Sequence, residues 1–210
     1  MKGMSTVLLI RHGMTDAVGH QLVGWTPGVS LNAAGRDQAK ELGRSLECVK
    51  LSGIYSSPLD RALQTAEAVA AHHGMPIQIR DQLGEVRFGD WTGCLIEDLS
   101  GDPEWQRWNA YRSTARTPNG ESFLELQNRM VSALNEIALL HPDGIVAAVS
   151  HADAIRAALL QYLGMPADFC LRLDIQPASV SVLQFTGGAP RVRSVNIPVN
   201  GFDGLLTPAW

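Results

Sequence analysis

Short apolar runs alternate along this chain with longer segments in which apolar residues recur at helical spacing. The runs at 6–11 and 144–149 are nearly continuously apolar, which predicts buried strands. Residues 52–56 predict a shorter strand, and the apolar–polar alternation at 77–79 predicts another. Four strands are therefore expected before the C-terminal part of the chain.

The segments between these strands have the spacing of amphipathic helices. We predict a helix over 31–47 and a second helix with Pro58 in its first turn, where a proline is tolerated. Residues 104–111 and a long pattern from Glu121 predict two more, and a last helix over 152–163 ends at the following glycine. The inner face of the first helix is expected to contain Leu31, Ala34, Ala39, Leu42 and Leu46.

Two alternating strands, 179–185 and 191–196, follow and are joined through a pair of glycines like a hairpin. Strands that alternate with helices predict an α/β fold with a mostly parallel sheet. No repeat or linker divides the chain, so residues 1–210 are predicted to form a single domain, with a small cap-like insertion around 92–120. The apolar residues expected to dock on the domain or on a partner are Phe202, Leu205, Leu206 and Trp210.

Candidate chemistry appears where two of the buried strands end. Arg11, His12 and Gly13 follow the first strand directly, and Ser150 and His151 follow a later one. In open α/β sheets, ligands bind at the carboxyl ends of the strands. Two imidazoles delivered to that edge, with arginines available, are what phosphoryl transfer through a nucleophilic histidine requires.

Arg61 supplies a further cation near the start of the second predicted helix, whose N-terminus favours anions. Its planar fork of donors, like that of Arg11, suits phosphate oxygens. Each of these residues also has an ordinary interpretation. Arg61 on a helix is by default a solvated surface charge, and His12 and His151 are equally compatible with satisfied core histidines.

Composition narrows the class of protein. The chain is 45% hydrophobic with a net charge of −4, which is typical of a globular protein and disfavours a nucleic-acid-binding surface. Three scattered cysteines predict reduced thiols and a cytoplasmic location. No apolar stretch approaches the roughly 20 residues of a membrane span, and the first apolar run is interpreted as a strand rather than a signal peptide.

The reaction assigns different tasks to different groups. A nucleophilic imidazole must be neutral, so His12 needs one free nitrogen while the other donates to a fixed acceptor such as a backbone carbonyl. His151, expected to be protonated when phosphate is present, would stabilise charge on the oxygens of the transferred group. Glu85, among apolar and aromatic neighbours, is the predicted proton donor for the leaving oxygen; the rivals, expected to be surface carboxylates, are Asp81, Asp90 and Glu97. Pairing His151 with Asp153 as metal ligands is a weaker alternative, because no further ligands are suitably spaced.

Taken together, these segments resemble the histidine phosphatase superfamily, also called phosphoglycerate mutase-like. The matching segments occur in the family's order over roughly residues 6–185. Each is short, but the ordered set is specific. They are Arg11-His12-Gly13 with Thr15, Leu31 to Ala39, Ser56 to Ala66, Glu85 with Phe88 to Gly93, Gly120-Glu121-Ser122 and Val149-Ser150-His151.

The resemblance implies a three-layer α/β/α sandwich with a central mixed, mostly parallel sheet. It also implies that His12 becomes a phosphohistidine, that Arg11, Arg61 and His151 form the phosphate pocket, and that Glu85 moves the proton. No cofactor and no metal are implied. The partner would be a small phosphomonoester, and the chain a monomer or a homodimer. Further pocket residues on this resemblance are Gly13, Thr15, Gly24 and Ala152.

Departures from the family pattern affect the rim of the predicted pocket. Met14 stands where many members have Glu or Gln, and Asp16-Ala17-Val18 lacks the usual pocket asparagine, for which Thr15 or His20 could substitute. Ala152 replaces the usual glycine after the second histidine.

The main expectation is a metal-independent phosphatase. The alternatives are a cofactor-dependent phosphoglycerate mutase and a non-catalytic phosphate-binding module. The compact segment before the second histidine has no Arg-Arg pair, which favours hydrolysis over the mutase. The filled catalytic positions disfavour a module without activity.

Overall fold

The computed structural model describes residues 3–187 and 189–199, and a single six-stranded sheet forms its centre. The strand order across the sheet is β3-β2-β4-β1-β5-β6. The strands are β1 (Met4–Arg11), β2 (Leu51–Ser56), β3 (Ile77–Ile79), β4 (Ile145–Ser150), β5 (Val180–Thr186) and β6 (Arg191–Ile197).

The sheet is mixed and mostly parallel, as the sequence predicts. Strands β1, β2, β3 and β4 are mutually parallel, whereas β5 runs antiparallel to both β1 and β6. In the register of β1 against β4, Arg11 lies opposite Ser150. The two predicted histidines therefore leave neighbouring strands at the same edge of the sheet.

Helices cover both faces of the sheet and complete the three-layer α/β/α sandwich. The pleat of β1 divides its side chains between two cores: Leu8 and Ile10 pack with the first two helices, and Val7 and Leu9 pack with the last two. The helices are α1 (Ala33–Leu46), α2 (Asp60–Ala70), α3 (Ile96–Leu99), α4 (Pro103–Ala110), α5 (Phe123–Leu140) and α6 (Ala152–Leu163).

Local signals explain the start of two helices and the end of a third. Ser122 and Glu125 form a capping box at the start of α5. The Asn32 side chain accepts the Gly35 N–H at the start of α1, and Gly164 ends α6 with a positive φ of 64°. The predicted bounds of 152–163 and 77–79 match α6 and β3.

The observed elements differ from the prediction at several points. Helix α2 begins at Asp60 with Leu59 as its N-cap, so Pro58 precedes the helix instead of lying in its first turn. Ala34 is exposed, and Gly35 takes the buried position beside it because α1 approaches the backbone of the loop after β1. The sequence pattern also missed α3 and three short 3-10 turns at Asp81–Leu83, Gly89–Trp91 and Ala167–Arg172, which are too short to show a period.

The segment predicted as a cap, around 92–120, packs on the domain through an aromatic cluster. Trp108 is fully buried, with edge contacts to Trp91 and Phe123, and Trp105 meets Trp91 edge-on. Such edge contacts are favourable beyond the area they bury. Tyr111, at the end of α4, is 59% exposed.

No helix in the described part of the chain is long and apolar enough to cross a membrane. The β5–β6 turn was predicted at a glycine pair of which the structure describes only Gly187. The apolar C-terminal residues that the sequence suggests for docking lie outside the described residues; they are Phe202, Leu205, Leu206 and Trp210.

We expect Gly35→Ala to destabilise the fold at the loop that carries the first histidine. A Cβ on Gly35 would lie 2.0 Å from the carbonyl oxygen of Met14, which is backbone that must move. The expected loss in free energy of unfolding is about 1–3 kcal/mol, measured by urea denaturation. Asp37→Ala, at an exposed position of the same helix, is the control. Equal stability of the two variants would contradict this close packing.

Candidate active site

His12 occupies the first position after β1, and its backbone fixes it against β4. Its N–H donates to the Ser150 carbonyl at 3.0 Å, and its side chain is buried except for a small part that lines a cavity. The ring atom Nδ1 lies 2.7 Å from the Gly13 carbonyl oxygen. Because a carbonyl only accepts, Nδ1 carries the proton and Nε2 keeps its lone pair. No described residue hydrogen-bonds to that Nε2.

Gly13 is positioned behind His12 and not in the cavity. Its N–H donates to Thr65 Oγ1 at 3.1 Å, so this amide is already used within the protein. A Cβ at Gly13 would lie 2.6 Å from the Gly35 carbonyl oxygen, which explains why glycine stands there. The Gly13 carbonyl thus orients the imidazole, while its amide donates to Thr65 and not towards the cavity.

His151 immediately precedes α6, and its ring is fully buried beside that of His12. The ring centroids are 5.1 Å apart with an interplanar angle of 58°. Its Nε2 lies 2.8 Å from Ser57 Oγ, and that oxygen also accepts the Leu59 N–H. The Ser57 hydroxyl can donate its proton to Nε2 while its oxygen accepts the Leu59 N–H, and in that arrangement the proton of the neutral ring is on Nδ1. The sequence segment containing Ser57 was recognised, but this orienting role was not.

Arg61 is buried, contrary to the default expectation for a charged residue on a helix; only 2% of it is exposed. Its Nη2 donates to the Gly24 carbonyl at 2.8 Å. Gly24 has a positive φ of 44° and lines the cavity. Through its carbonyl it also fixes the position of the Arg61 guanidinium. The second cation near His12 is Arg11, whose Nη1 donates to the Ile175 carbonyl.

Three buried nitrogen atoms on the residues grouped with His12 have no hydrogen-bond partner within residues 3–187 and 189–199. They are Nε of Arg11, Nη1 of Arg61 and Nδ1 of His151. A buried donor without a partner costs about 1–3 kcal/mol, so such groups are few in folded proteins and call for a specific explanation. A tetrahedral oxyanion in front of His12 would satisfy donors of this kind.

The electrostatics keep both imidazoles neutral. Burial, reinforced by Arg61 and Arg11, holds the pKa of His12 well below its usual value. The pKa of His151 is lowered well below its usual value by burial and by Arg61 and His12. Burial also lowers the pKa of Arg61, to about 10, so this guanidinium stays charged at neutral pH. His12 thus combines an available lone pair with two flanking cations.

Glu85 faces the same cavity, as predicted for the proton donor. Its Oε1 accepts the N–H groups of Val86 at 3.0 Å and of Ala154 at 3.2 Å. Burial and the nearby Asp153 charge raise its pKa, against the opposing effects of Val86, Arg61 and Arg11. The rival carboxylates are exposed and do not line the cavity; they are Asp81, Asp90 and Glu97.

The cavity has a volume of about 190 Å³ and brings together most of the predicted residues. Thr15 and Ala152 line it, whereas His20 is exposed and lies in a separate groove, so Thr15 is the nearer substitute for the missing asparagine. The full lining comprises Arg11, His12, Thr15, Ala17, Val18, Gly19, Gln21, Leu22, Val23, Gly24, Arg61, Glu85, Phe88, Ile96, Ala152, Asp153 and Arg156.

Asp153 is engaged by arginines, which argues against the alternative of a metal site with His151. Its carboxylate accepts from Arg112 at 2.9 Å and from Arg156 at 2.8 Å. Burial alone would raise the pKa of Asp153, but the two arginines outweigh it and lower the pKa to about 2. No group of three or more metal-ligating side chains occurs in the described parts of the chain.

A clamp on the backbone holds Glu85 in place, and the sequence pattern did not show it. All five N–H groups of Arg129 donate hydrogen bonds: to the carbonyls of Gln82, Gly84 and Glu85, and twice to the Glu121 carboxylate. The Trp25 indole also donates to the Glu85 carbonyl, at 2.6 Å. The available signal was the Gly120-Glu121-Ser122 segment, but Arg129 lies far from Glu85 in sequence.

Related proteins include some that are about twice as long as the matched region and others of about the same length as this chain. The chain is 30% identical over 193 residues to the bifunctional protein Rv2228c of Mycobacterium tuberculosis, covering 90% of this chain but 53% of that protein. It therefore spans about half the length of the first curated relatives. It is 30% identical over 196 residues to the uncharacterized phosphatase PhoE of Bacillus subtilis, covering 92% and 95% of the two chains.

A third relative carries a mutase name: GpmB of Salmonella choleraesuis, named as a phosphoglycerate mutase, is 30% identical over 184 residues, covering 87% of this chain and 86% of that protein.

Solved structures share the fold over nearly the whole chain. Bacillus stearothermophilus YhfR aligns with a TM-score of 0.87 at 29% identity, covering 92% of this chain and 97% of that one. The mycobacterial glucosyl-3-phosphoglycerate phosphatase Rv2419c aligns with a TM-score of 0.82 at 25% identity, covering 92% and 99%. The sequence profile of branch 1 of the histidine phosphatase superfamily matches residues 7–198. On this match, the chain belongs to the histidine phosphatase superfamily, branch 1.

Proposed function

We propose that this protein is a metal-independent phosphomonoesterase that acts on a small phosphorylated metabolite through a phosphohistidine at His12. The observation that carries the proposal is the set of unpaired buried donors on Arg11, Arg61 and His151 around a neutral imidazole. These donors match the oxygens of a phosphate group. The phosphatase names of PhoE and Rv2419c support the same reaction.

The first step transfers the phosphoryl group to the protein. Arg11 and Arg61 hold the phosphate oxygens, and the lone pair of His12 Nε2 attacks phosphorus in line with the ester oxygen. The P–O ester bond breaks as the N–P bond forms, and Glu85 gives its proton to the departing oxygen. His151 Nδ1 donates to an oxygen of the transferring group and stabilises its charge.

The second step returns the protein to its starting state. Glu85, now a carboxylate, takes a proton from a water molecule whose oxygen attacks the phosphorus. The N–P bond breaks, its electron pair returns to Nε2 of His12, and inorganic phosphate leaves. Throughout, the carbonyl of Gly13 keeps the other ring nitrogen protonated.

Phosphoglycerate mutase activity is the second candidate, because GpmB is a similar relative. A mutase returns the phosphoryl group to a second hydroxyl and must exclude water from the phosphoenzyme. We favour hydrolysis because the segment before the second histidine is compact and has no Arg-Arg pair.

The proposal also includes the cellular location of the protein and the kind of ligand that it binds. A cytoplasmic location is supported by Cys48, Cys94 and Cys170, which are all free thiols. A net charge of −4 suits a small anionic ester, bound by locally focused cations, better than a nucleic acid.

Replacing His12 with alanine is expected to reduce phosphate release from monoesters below detection and to abolish acid-labile phosphoenzyme. His20→Ala, which removes an exposed imidazole outside the cavity, should leave both intact, and EDTA should not slow the wild type. Release of phosphate would be measured colorimetrically, with interconversion of 2- and 3-phosphoglycerate followed in parallel. Undiminished turnover in His12→Ala would overturn the mechanism, and faster interconversion than hydrolysis would make the protein a mutase.

The pH dependence should reflect the two perturbed groups. Because the pKa of His12 is lowered, its nucleophilic form persists into acidic solution; because the pKa of Glu85 is raised, the acid form persists toward neutral pH. For esters with poor leaving groups, kcat should therefore fall as pH rises through the raised pKa of Glu85. Glu85→Gln should remove this alkaline limb and lower kcat about 10²- to 10⁴-fold on alkyl phosphates, with a much smaller loss on 4-nitrophenyl phosphate. Equal losses on both esters would remove Glu85 from the acid role.

Arg129→Lys tests the clamp that positions Glu85. Lysine keeps the charge but has too few donors for five simultaneous hydrogen bonds. We expect kcat on alkyl phosphates to fall about 10- to 100-fold with little change in KM, and a smaller loss on 4-nitrophenyl phosphate, which needs little proton donation. Arg107→Lys, at an exposed position of α4, is the matched control. Equal losses on the two esters would indicate a purely structural role for Arg129.

A further inference from the structure

Arg156, a cation at the cavity, has a donor group that makes no hydrogen bond within the described residues. The proposed contacts to the reacting phosphate do not involve it either. Arg156 lies one turn after Asp153 on α6 and lines the cavity. Its Nε donates to the Leu173 carbonyl at 2.7 Å and its Nη1 to Asp153 at 2.8 Å. Within the described residues, Nη2 has no hydrogen-bond partner. The two bonds fix the plane of the guanidinium, so this free edge is held in place.

The charges around Asp153 do not balance. Arg112 and Arg156 both pair with this single carboxylate, which leaves one unit of positive charge. Arg112 is buried, stacks 4.4 Å from the Trp108 ring centroid and gives its Nη2 to Asn109. It does not line the cavity. Of the two arginines paired with Asp153, it is therefore Arg156 that can form an ion pair with a ligand in the cavity.

A bound phosphate group alone does not neutralise the positive charge on Arg156. The two charges of a phosphate dianion are balanced by Arg11 and Arg61, and Glu85 must be protonated to act as the acid. A largely buried cation without a compensating anion is unfavourable. A group with a single negative charge and coplanar oxygens fits the guanidinium edge best, and a carboxylate has both properties. A second phosphate would bring two charges close to the Asp153 carboxylate.

The rest of the cavity limits the size and polarity of the part of the ligand that connects its phosphate to its carboxylate. Much of the remaining lining is apolar: Val18, Leu22, Val23, Phe88 and Ile96 offer no polar side-chain atoms to hydroxyl groups, and the uncharged polar side chains of the lining are those of Thr15 and Gln21. The volume of about 190 Å³ is below the roughly 300–1,000 Å³ of sites for drug-sized ligands. A skeleton of a few carbons suits this space better than a sugar or a nucleoside.

From these observations we propose that Arg156 forms a second anion subsite, and that the preferred substrates are compact phosphomonoesters carrying a carboxylate. This inference rests on the proposed phosphatase function and deepens it: Arg11 and Arg61 bind the phosphate that reacts, and Arg156 binds the carboxylate that does not. Arg156 thereby selects among substrates and orients the ester relative to His12.

The test compares esters that differ only in the carboxylate. The pairs are 3-phosphoglycerate with glycerol 3-phosphate, and phosphoserine with phosphoethanolamine. A hydrogen bond to a charged group contributes enough to change affinity roughly 10- to 100-fold, so the wild type should prefer the carboxylate member of each pair by about that factor in kcat/KM. In Arg156→Gln this preference should fall toward one, mainly through KM for the carboxylate ester.

Two further variants guard against a merely structural effect. Arg156→Lys keeps the charge but loses the planar fork, and should retain part of the preference. Arg172→Gln removes an exposed arginine at the end of the 3-10 turn Ala167–Arg172, where it stacks on Phe169, and should leave the preference unchanged. If Arg156→Gln does not fold, Arg156→Lys and the wild-type ratios still decide the question.

The outcomes separate this inference from the proposed function. Equal kcat/KM within both pairs, with phosphate released from all four esters, would overturn the carboxylate subsite and keep the phosphatase. A stronger preference for fructose 1,6-bisphosphate over fructose 6-phosphate would replace the carboxylate with a second phosphate. If no ester is hydrolysed, the phosphatase fails, and calorimetric binding of 3-phosphoglycerate against glycerol 3-phosphate still supports or overturns the subsite.

Discussion

The hydrogen bond from His12 Nδ1 to the Gly13 carbonyl, in a buried pocket flanked by two guanidinium groups, is the interaction on which the site depends. The carbonyl fixes which nitrogen carries the proton. Burial and the adjacent charges of Arg11 and Arg61 make a second proton unfavourable, so the opposite nitrogen remains a nucleophile. The same two charges make the site attractive to a dianion. One arrangement thus prepares both the nucleophile and the binding of its target.

The fold meets this requirement by using the ends of two adjacent parallel strands. β1 and β4 deliver His12 and His151 side by side, and the two apolar cores on either face of the sheet supply the stability that offsets buried charge. Close backbone approach completes the pocket floor: α1 packs against the loop after β1 at Gly35, and Gly13 leaves room for that contact. The cations are concentrated at one point of a chain that is acidic as a whole.

Two carboxyl groups on the cavity wall differ in state because they differ in partners. Among the described residues, Glu85 accepts only backbone N–H groups, and burial together with the neighbouring Asp153 charge raises its pKa. Asp153 is held between two arginines and remains ionised. Each state supports the other, since the fixed charge of Asp153 favours the protonated form of Glu85. Proton transfer and charge compensation are in this way divided between neighbouring residues of one small cavity.

The sequence by itself determined the layers, the order of the main elements and the strand ends where His12 and His151 stand, because burial periodicity and turn residues are local properties. Arg61 and Glu85 were candidates on chemical grounds, and the family resemblance implied their places in the phosphate pocket. Only the tertiary structure decided that Arg61 is buried, that Gly13 orients an imidazole, and that Arg129 clamps Glu85 across 44 positions of the chain. The bond between Ser57 and His151 joins residues 94 positions apart. Such contacts depend on how distant segments pack, and a local pattern of polar and apolar residues carries no record of which donor will meet which acceptor.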